Sequence, residues 1–173
     1  MAMRLTLFLS LAIPLIFAAD RPGWSQNAQA PAPSVSPDAR ASSPVPYTMT
    51  MGDMMNTLVQ PRHSKLGLAG RDENWPLASY AVVEIRQAFD SIAKAQPKFR
   101  GLPVAELIDA AMTRPIGAVD AAIKQQDAQK FVAAYDQVTQ GCNACHAAVE
   151  HSFIIIKTPD ASAFPNQEFK AQR

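Results

Sequence analysis

The stretch FVAAYDQVTQGCNACH, residues 131–146, contains both cysteines of this 173-residue chain. Its apolar and sulfur-bearing residues, continued one turn further, recur at steps of four and three: Phe131, Tyr135, Val138, Cys142, Cys145 and Val149. That spacing places them on one face of an α-helix, and Asp127 is suited to cap its start. The stretch therefore predicts a helix whose buried face carries both thiols.

The end of this stretch, Cys142-Asn143-Ala144-Cys145-His146, has the spacing Cys-x-x-Cys-His. This is the attachment signature of c-type haem. Two thiols at this spacing can form thioether bonds to the haem vinyl groups, and the adjacent histidine can supply an axial imidazole to the iron. The sequence therefore predicts one covalent haem c, with Cys142 and Cys145 as cofactor-binding residues and His146 as a metal ligand.

Three other uses of the two cysteines remain open. A disulfide between Cys142 and Cys145 would suit an exported chain. A thioredoxin-like redox pair would need a strand-rich βαβ context, which the sequence does not show. A structural zinc site usually takes four Cys or His ligands, often as two spaced pairs.

The N-terminal region indicates export. Arg4 precedes an apolar run, Leu5 to Ala18, that is shorter than the roughly 20 residues of a membrane span. We therefore predict a secretory signal peptide over residues 1–30, with retention as an N-terminal anchor as the alternative. Residues 31–46 are rich in Pro, Ala and Ser and predict a linker. Haem attachment of this type takes place outside the cytoplasm, so we expect a periplasmic protein.

The remaining chain is long enough for one domain with one core, which we place at residues 47–157, followed by a C-terminal tail at 158–173. The formal net charge is +1, which gives no electrostatic footprint for nucleic acid or for an anionic membrane surface. Redox partner proteins are the expected partners, and contact with a membrane is expected only if the signal is retained.

Helical spacing of apolar residues recurs in four blocks, so the sequence predicts an all-α fold. We predict Thr48–Lys65 for the first helix, a second helix capped by Asn74 and ended by Pro97, a third from Pro103, and a fourth after Asp127. Pro61 and Pro115 are expected to kink or split their helices. Short connections favour antiparallel neighbours, which predicts an antiparallel four-helix bundle with haem attached to the last helix.

Two segments between and after these helices are expected to be non-helical. Residues 67–74 predict a turn-rich connection because of their glycines and polar residues. The run Ile154-Ile155-Ile156 favours an extended segment, because β-branched residues prefer strands. We expect the tail that follows to fold back over an edge of the helical domain.

A Cys-x-x-Cys-His motif near the C-terminal end of an all-helical domain resembles the class II c-type cytochromes, the cytochrome c′ and cytochrome c-556 group. The resemblance covers roughly residues 46–153. It implies a four-helix bundle with haem attached through the last helix, His146 as proximal ligand, and a periplasmic electron carrier or haem-ligand binder. Val149 and Glu150 depart from the aromatic and basic residues that many members have there. Members are often dimers through their first two helices, but no clear dimer seam is visible here.

The same resemblance implies that the distal iron ligand comes from the first helix, as a methionine sulfur in low-spin members. This helix contains Met51, Met54 and Met55. We favour Met55, which lies mid-helix on the same apolar stripe as Met51 and Leu58. The residues 55–58 are also similar to those at the methionine ligand of the related cytochrome b562. Methionine is also a common core residue, so Met51, Met54 or no methionine remain alternatives.

The two other histidines are less favoured as iron ligands, although His63 is a further candidate. His63 lies in the polar run 60–65, which predicts a surface position or a contact with a haem propionate. His151 is about 140° around the helix from His146 by helical geometry, which predicts exposure.

The leading functional hypothesis is a single-haem cytochrome that carries electrons by cycling between Fe(III) and Fe(II). The alternative is a five-coordinate haem protein that binds NO or CO. A haem enzyme ranks last because no distal acid–base pair can be recognised, so we expect no enzymatic activity.

Overall fold

A computed structural model describes residues 47–171, of which 68% are helical. The elements are α1 (Met51–Met54), a π-helical turn (Met55–Val59), α2 (Gln60–Arg71), α3 (Trp75–Ala95), β1 (Lys98–Phe99), β2 (Leu102–Pro103), α4 (Val104–Gln125) and α5 (Ala128–Ala148). The predicted all-α class is confirmed, with one small sheet. The predicted signal peptide (1–30) and linker (31–46) lie outside the described residues. Within 47–171, no helix combines the length and apolarity that crossing a membrane requires.

Side chains cap the starts of three helical stretches. At α1 the Thr50 hydroxyl accepts from the Asp53 amide at 3.2 Å, while the Asp53 carboxylate accepts from the Thr50 amide at 2.9 Å. Asn74 accepts from the amide of Leu77 at the start of α3. Asp127 caps α5 in the same way. These bonds satisfy amide groups that lack a partner in the first turn, and they confirm the predicted starts after Asn74 and Asp127.

The first helical stretch is not split at Pro61. It runs from α1 through the π-helical turn into α2, where Pro61 occupies the first turn. Proline has no N–H, and its ring crowds the carbonyl four residues earlier. The turn before Pro61 is instead closed by a bond from the Gln60 amide to the Met55 carbonyl, five residues back, which widens the helix where the ring needs space. In α4 the helix likewise continues through Pro115.

The predicted connection at residues 67–74 is wrong, because α2 continues to Arg71. Gly67 and Gly70 lie under the rings of α5. A Cβ at Gly67 would lie 2.6 Å from the Tyr135 hydroxyl, and one at Gly70 would collide with the ring of Phe131. The glycines are therefore helical residues that allow two helices to approach closely, and the loss of helix propensity is offset by the burial of two aromatic rings.

The four helical stretches share one core. α2 packs against α3 and α5, α3 packs against α4, and α4 packs against α5. Fully buried side chains come from every stretch, including Leu66, Ile85, Val119 and Val138 at 0% exposure. A two-residue antiparallel ladder, β1 with β2, joins α3 to α4. The sequence did not indicate this ladder.

The chain after α5 returns along the helices, which confirms that the tail folds back. Arg71 donates to the Pro159 carbonyl at 3.1 Å, and the Asn74 side-chain amide donates to the Phe169 carbonyl at 3.1 Å. The Phe169 ring is buried in the core. The tail therefore covers apolar surface near the turn between α2 and α3.

Two glycine-to-alanine substitutions should change stability in opposite directions. In Gly70→Ala the new methyl group meets the ring of Phe131, so we expect the free energy of unfolding to fall by roughly 1–3 kcal/mol. Gly117 is also helical, but no atom lies within 4 Å of its ideal Cβ position. Gly117→Ala should therefore raise the stability by roughly 0.5–1 kcal/mol. Denaturant unfolding measures both, and equal effects would contradict the close approach of α2 to α5.

Candidate functional site

One cavity, with a volume of about 210 Å³, is lined by the first helical stretch, α4, α5 and the chain that follows α5. Cys142, Cys145 and His146 all lie on its wall. Most of the remaining lining is apolar and includes Phe89, Phe99, Val104, Leu107, Ile108 and Met112. The structure thus brings both thiols and the imidazole of the motif to one apolar space.

The two cysteines lie one turn apart on α5, on the cavity side. Cys142 is 8% exposed and Cys145 is half-buried, and neither is in a disulfide. The Cys145 thiol donates to the Leu107 carbonyl of α4 at 3.6 Å. Burial, with a smaller contribution from Cys145, raises the pKa of Cys142 to about 12, and burial also raises the pKa of Cys145. Both sulfurs are therefore protonated thiols at neutral pH, unlike the thiolates of nucleophilic or metal-binding cysteines.

Gly141 explains how the motif lies so close to α4. A Cβ at this position would be 2.6 Å from the backbone carbonyl of Ala111. A larger residue would therefore push α5 away from α4 one residue before Cys142. The apolar spacing of α5 gave no sign of this requirement, because it depends on the neighbouring helix.

The ring of His146 is held in one orientation by the chain that follows α5. Its Nδ1 lies 2.8 Å from the carbonyl oxygen of Ile154. A carbonyl can only accept, so Nδ1 carries a proton, and in the neutral ring Nε2 is then the nitrogen with the lone pair. A metal-binding histidine commonly has this arrangement, in which a hydrogen bond to one ring nitrogen orients the other toward the metal.

The first helical stretch forms a second wall of the cavity, and it distinguishes the three methionines. Met51 and Met55 line the cavity, whereas Met54 is 3% exposed and packs in the core. Val59 and His63 continue the cavity wall at four-residue steps. In a regular α-helix, residues four apart are rotated by about 40° from one another around the helix axis. The π-helical turn has more residues per turn and offsets this rotation, so that one face of the stretch stays toward the cavity. Such turns are frequent at functional sites.

The predicted surface position of His63 is wrong. Its side chain is 3% exposed and forms the inner end of the cavity wall. The ring nitrogens lie 3.0 Å from the Tyr135 hydroxyl and 3.0 Å from the Thr139 hydroxyl of α5. The polar run around His63 suggested exposure, but its face of α2 also carries Gly67 and is covered by α5.

The three polar side chains can satisfy one another. The Tyr135 hydroxyl donates to the His63 backbone carbonyl at 2.7 Å. With that proton committed, Nδ1 of His63 donates to the Tyr135 oxygen. The Thr139 hydroxyl lies 3.0 Å from Nε2 and donates to the Tyr135 backbone carbonyl at 3.2 Å. Burial lowers the pKa of His63 to about 4, so the imidazole is neutral at neutral pH.

His151 is not exposed as predicted. It is half-buried and lines the cavity, with its ring 5.8 Å from that of Phe99 and 5.4 Å from that of Phe153. The prediction assumed a continuing helix, but α5 ends at Ala148, and Glu150 adopts a left-handed φ of 60° that turns the chain. Helical geometry therefore does not apply at residue 151.

The part of the chain that the structure describes contains no group of three or more His, Cys, Asp or Glu residues arranged to hold a metal ion. The soft and nitrogen donors on the cavity wall are instead two thiols, three imidazoles and three thioethers, from Cys142, Cys145, His63, His146, His151, Met51, Met55 and Met112.

Stability should decrease with falling pH because of His63. Its pKa is lower in the folded state, about 4 against an ordinary 6.5, so the unfolded chain binds the proton first. The contribution is complete above pH 6.5 and is lost as the pH falls toward 4, by roughly 2–3 kcal/mol between pH 7 and pH 4.5. Unfolding measured across this range should show a weaker pH dependence in His63→Gln. An unchanged dependence would contradict a buried neutral imidazole.

Comparison with known proteins gave no relative, since no protein-family model, no curated protein and no solved structure matches this chain.

Proposed function

We propose that this protein is a single-haem c-type cytochrome that carries electrons, with haem c bound covalently through Cys142 and Cys145. The observation that carries the proposal is the shared cavity: both thiols and His146 of the Cys-x-x-Cys-His motif line one apolar space, and Met51 and Met55 line it from another helix. A disulfide, a redox pair or a zinc site would not require an apolar cavity of this kind.

The chemistry of the donors fits this cofactor. Cys142 and Cys145 would hold the haem through two thioethers: addition of each S–H bond across a vinyl C=C π bond would give one C–S bond and one C–H bond. His146 has its Nδ1 proton held by Ile154, which leaves Nε2 available as an axial ligand. Haem iron needs only one or two side chains as axial ligands, so a cluster of three ligating residues is not required.

The surrounding residues suit electron transfer more than catalysis. Bound haem would supply one-electron cycling between Fe(III) and Fe(II). Apolar side chains such as Phe89, Leu107 and Ile108 limit the access of water and lower the local dielectric constant, which tunes the potential of a metal site. His63, the buried imidazole of the cavity wall, has both nitrogens committed to Tyr135 and Thr139, so it is not free to act as an acid or base.

The finer architecture belongs to the same proposal: the four helical stretches form an antiparallel four-helix bundle with haem on its last helix. The contacts α2–α3, α3–α4, α4–α5 and α2–α5 support a closed ring of helices. The connections between α2 and α3 and between α4 and α5 are short, as antiparallel neighbours require. The resemblance to class II c-type cytochromes is consistent with this arrangement.

The location and partners follow from the haem chemistry. Covalent attachment takes place after export, so the protein would work in the periplasm and exchange electrons with redox partner proteins. The formal net charge of +1 does not favour nucleic acid as a partner. A homodimer is a further arrangement that the resemblance suggests.

Met55 is the proposed distal ligand. Its position on the cavity wall supports this role, and the burial of Met54 in the core removes one competitor. Met51 shares the cavity wall one turn earlier. A thioether is a soft ligand that stabilises Fe(II) and raises the potential, which suits an electron carrier.

The covalent bond is tested on protein purified from the periplasm. Mass spectrometry should show the mass of one added haem, which acid–acetone extraction does not remove. Cys142→Ser and Cys145→Ser should each lose one thioether, and the double variant should release its haem on extraction. Extractable haem or no haem in the wild-type protein would contradict the proposal.

The distal ligand is tested by volume-conserving substitutions. The ferric protein should show the weak near-infrared band of sulfur–iron ligation. Met55→Leu should remove the band, open the ferrous iron to CO and lower the potential, because the thioether is lost. Met54→Leu is the matched control and should leave the band unchanged.

Two other outcomes have defined meanings. Loss of the band in Met51→Leu alone would identify Met51, one turn earlier, as the distal ligand and would contradict the assignment of Met55. A wild-type protein that is already high-spin and binds CO would contradict methionine ligation and favour the alternative function, a five-coordinate binder of NO or CO.

A further inference from the structure

The middle of the Cys-x-x-Cys-His motif makes a specific contact that haem attachment does not require. The Asn143 side chain donates from Nδ2 to the Ile156 carbonyl at 2.9 Å, and its Oδ1 accepts from the Ile156 amide at 2.7 Å. A single side chain thus pairs with both main-chain groups of one residue, as a neighbouring strand would.

The same segment contacts His146. In an extended chain, residues two apart direct their main-chain groups to the same side. Ile154 and Ile156 do so here: the Ile154 carbonyl lies 2.8 Å from Nδ1 of His146, while Ile156 pairs with Asn143. Ile155, between them, is 78% exposed. Asn143 and His146 are three residues apart and therefore lie on one face of α5.

The turn that joins α5 to residues 154–156 is stabilised by hydrogen bonds within its own main chain. The amide of His151 donates to the His146 carbonyl at 2.7 Å, and the amide of Ile154 donates to the His151 carbonyl at 2.9 Å. Ile156 packs against the core, and apart from the bond to His146 itself, its two hydrogen bonds with the Asn143 side chain tie this strand-like segment to α5. The Asn143 pair therefore helps to set the position of the Ile154 carbonyl.

We infer that Asn143 is a positioning residue, which holds residues 154–156 against α5 so that the Ile154 carbonyl fixes the orientation and raises the basicity of the His146 imidazole. This inference rests on the proposed function, in which His146 binds iron through Nε2. A more basic imidazole donates more charge to the metal and stabilises Fe(III) relative to Fe(II).

The test uses the full-length haem protein from the periplasm. Asn143→Leu has a similar volume but can form neither hydrogen bond. We expect its ratio of Fe(II) to Fe(III) at a fixed mediator potential to rise, by up to roughly tenfold. The iron–histidine stretching frequency of the ferrous protein, measured by resonance Raman spectroscopy in CO-free high-spin samples, should fall. Asn143→Gln keeps both amide groups and should restore most of each value.

Thr158→Val is the matched control. Thr158 follows Ile156 by two residues, and its hydroxyl donates to the Asp136 carboxylate of α5 at 2.9 Å. Its replacement by valine removes this bond but leaves the hydrogen bonds between Asn143 and Ile156 in place. It should leave the potential and the stretching frequency unchanged. If a six-coordinate ferrous state prevents the Raman measurement, the Met55→Leu background supplies an open iron for all variants.

The possible outcomes separate this inference from the proposed function. A wild-type protein without covalent haem contradicts the proposed function and the inference with it. A haem-bearing Asn143→Leu protein whose potential and frequency match those of the wild type contradicts the inference alone. If Asn143→Leu does not fold, Ile156→Pro removes the amide that pairs with Asn143 Oδ1 and should produce the same shifts. An unshifted Ile156→Pro protein would overturn the inference.

Discussion

The close packing of α5 on α2 is the constraint on which the rest of the structure depends. The rings of Phe131 and Tyr135 occupy the space that Gly67 and Gly70 leave open, so a rotation or outward movement of α5 at this end would lose these contacts. With its rotation fixed, the same face of the helix directs Cys142 and Cys145 inward two to four turns later. Gly141 keeps the motif close to α4. The thiols therefore face the cavity because of contacts made elsewhere along the helix.

A buried polar group accompanies this packing. His63, Tyr135 and Thr139 would destabilise the core if any of them lacked a partner, since an unsatisfied buried polar group costs about 1–3 kcal/mol. Here each has one, and the hydrogen bonds join α2 to α5 beside the cavity. Directional bonds of this kind specify how two helices align more sharply than apolar contacts do. The neutral imidazole also keeps a charge away from the cavity wall.

Local sequence information was sufficient where short-range chemistry decides the structure. The spacing of Phe131, Tyr135 and Val138 predicted the buried face of α5, and the caps at Asn74 and Asp127 predicted helix starts. The motif singled out Cys142, Cys145 and His146, and the structure places all three on one cavity. Their role toward haem remains a prediction.

The features that sequence reasoning missed depend on tertiary partners. Glycines in residues 67–74 resembled a turn because the rings that cover them come from α5, more than 60 residues away. His63 seemed polar and exposed for the same reason. The π-helical turn before Pro61 gives the proline ring the space that a regular helix would not, and it allows the helix to continue into the core. The pairing of Asn143 with Ile156 joins residues on either side of a turn at Glu150 that no periodicity indicates.

A crystal structure of the protein purified from the periplasm tests the covalent attachment of haem. We expect continuous electron density from the sulfur atoms of Cys142 and Cys145 into a porphyrin within the cavity, and an iron atom on Nε2 of His146. A Cys142–Cys145 disulfide, or a cavity that holds no porphyrin, would contradict it.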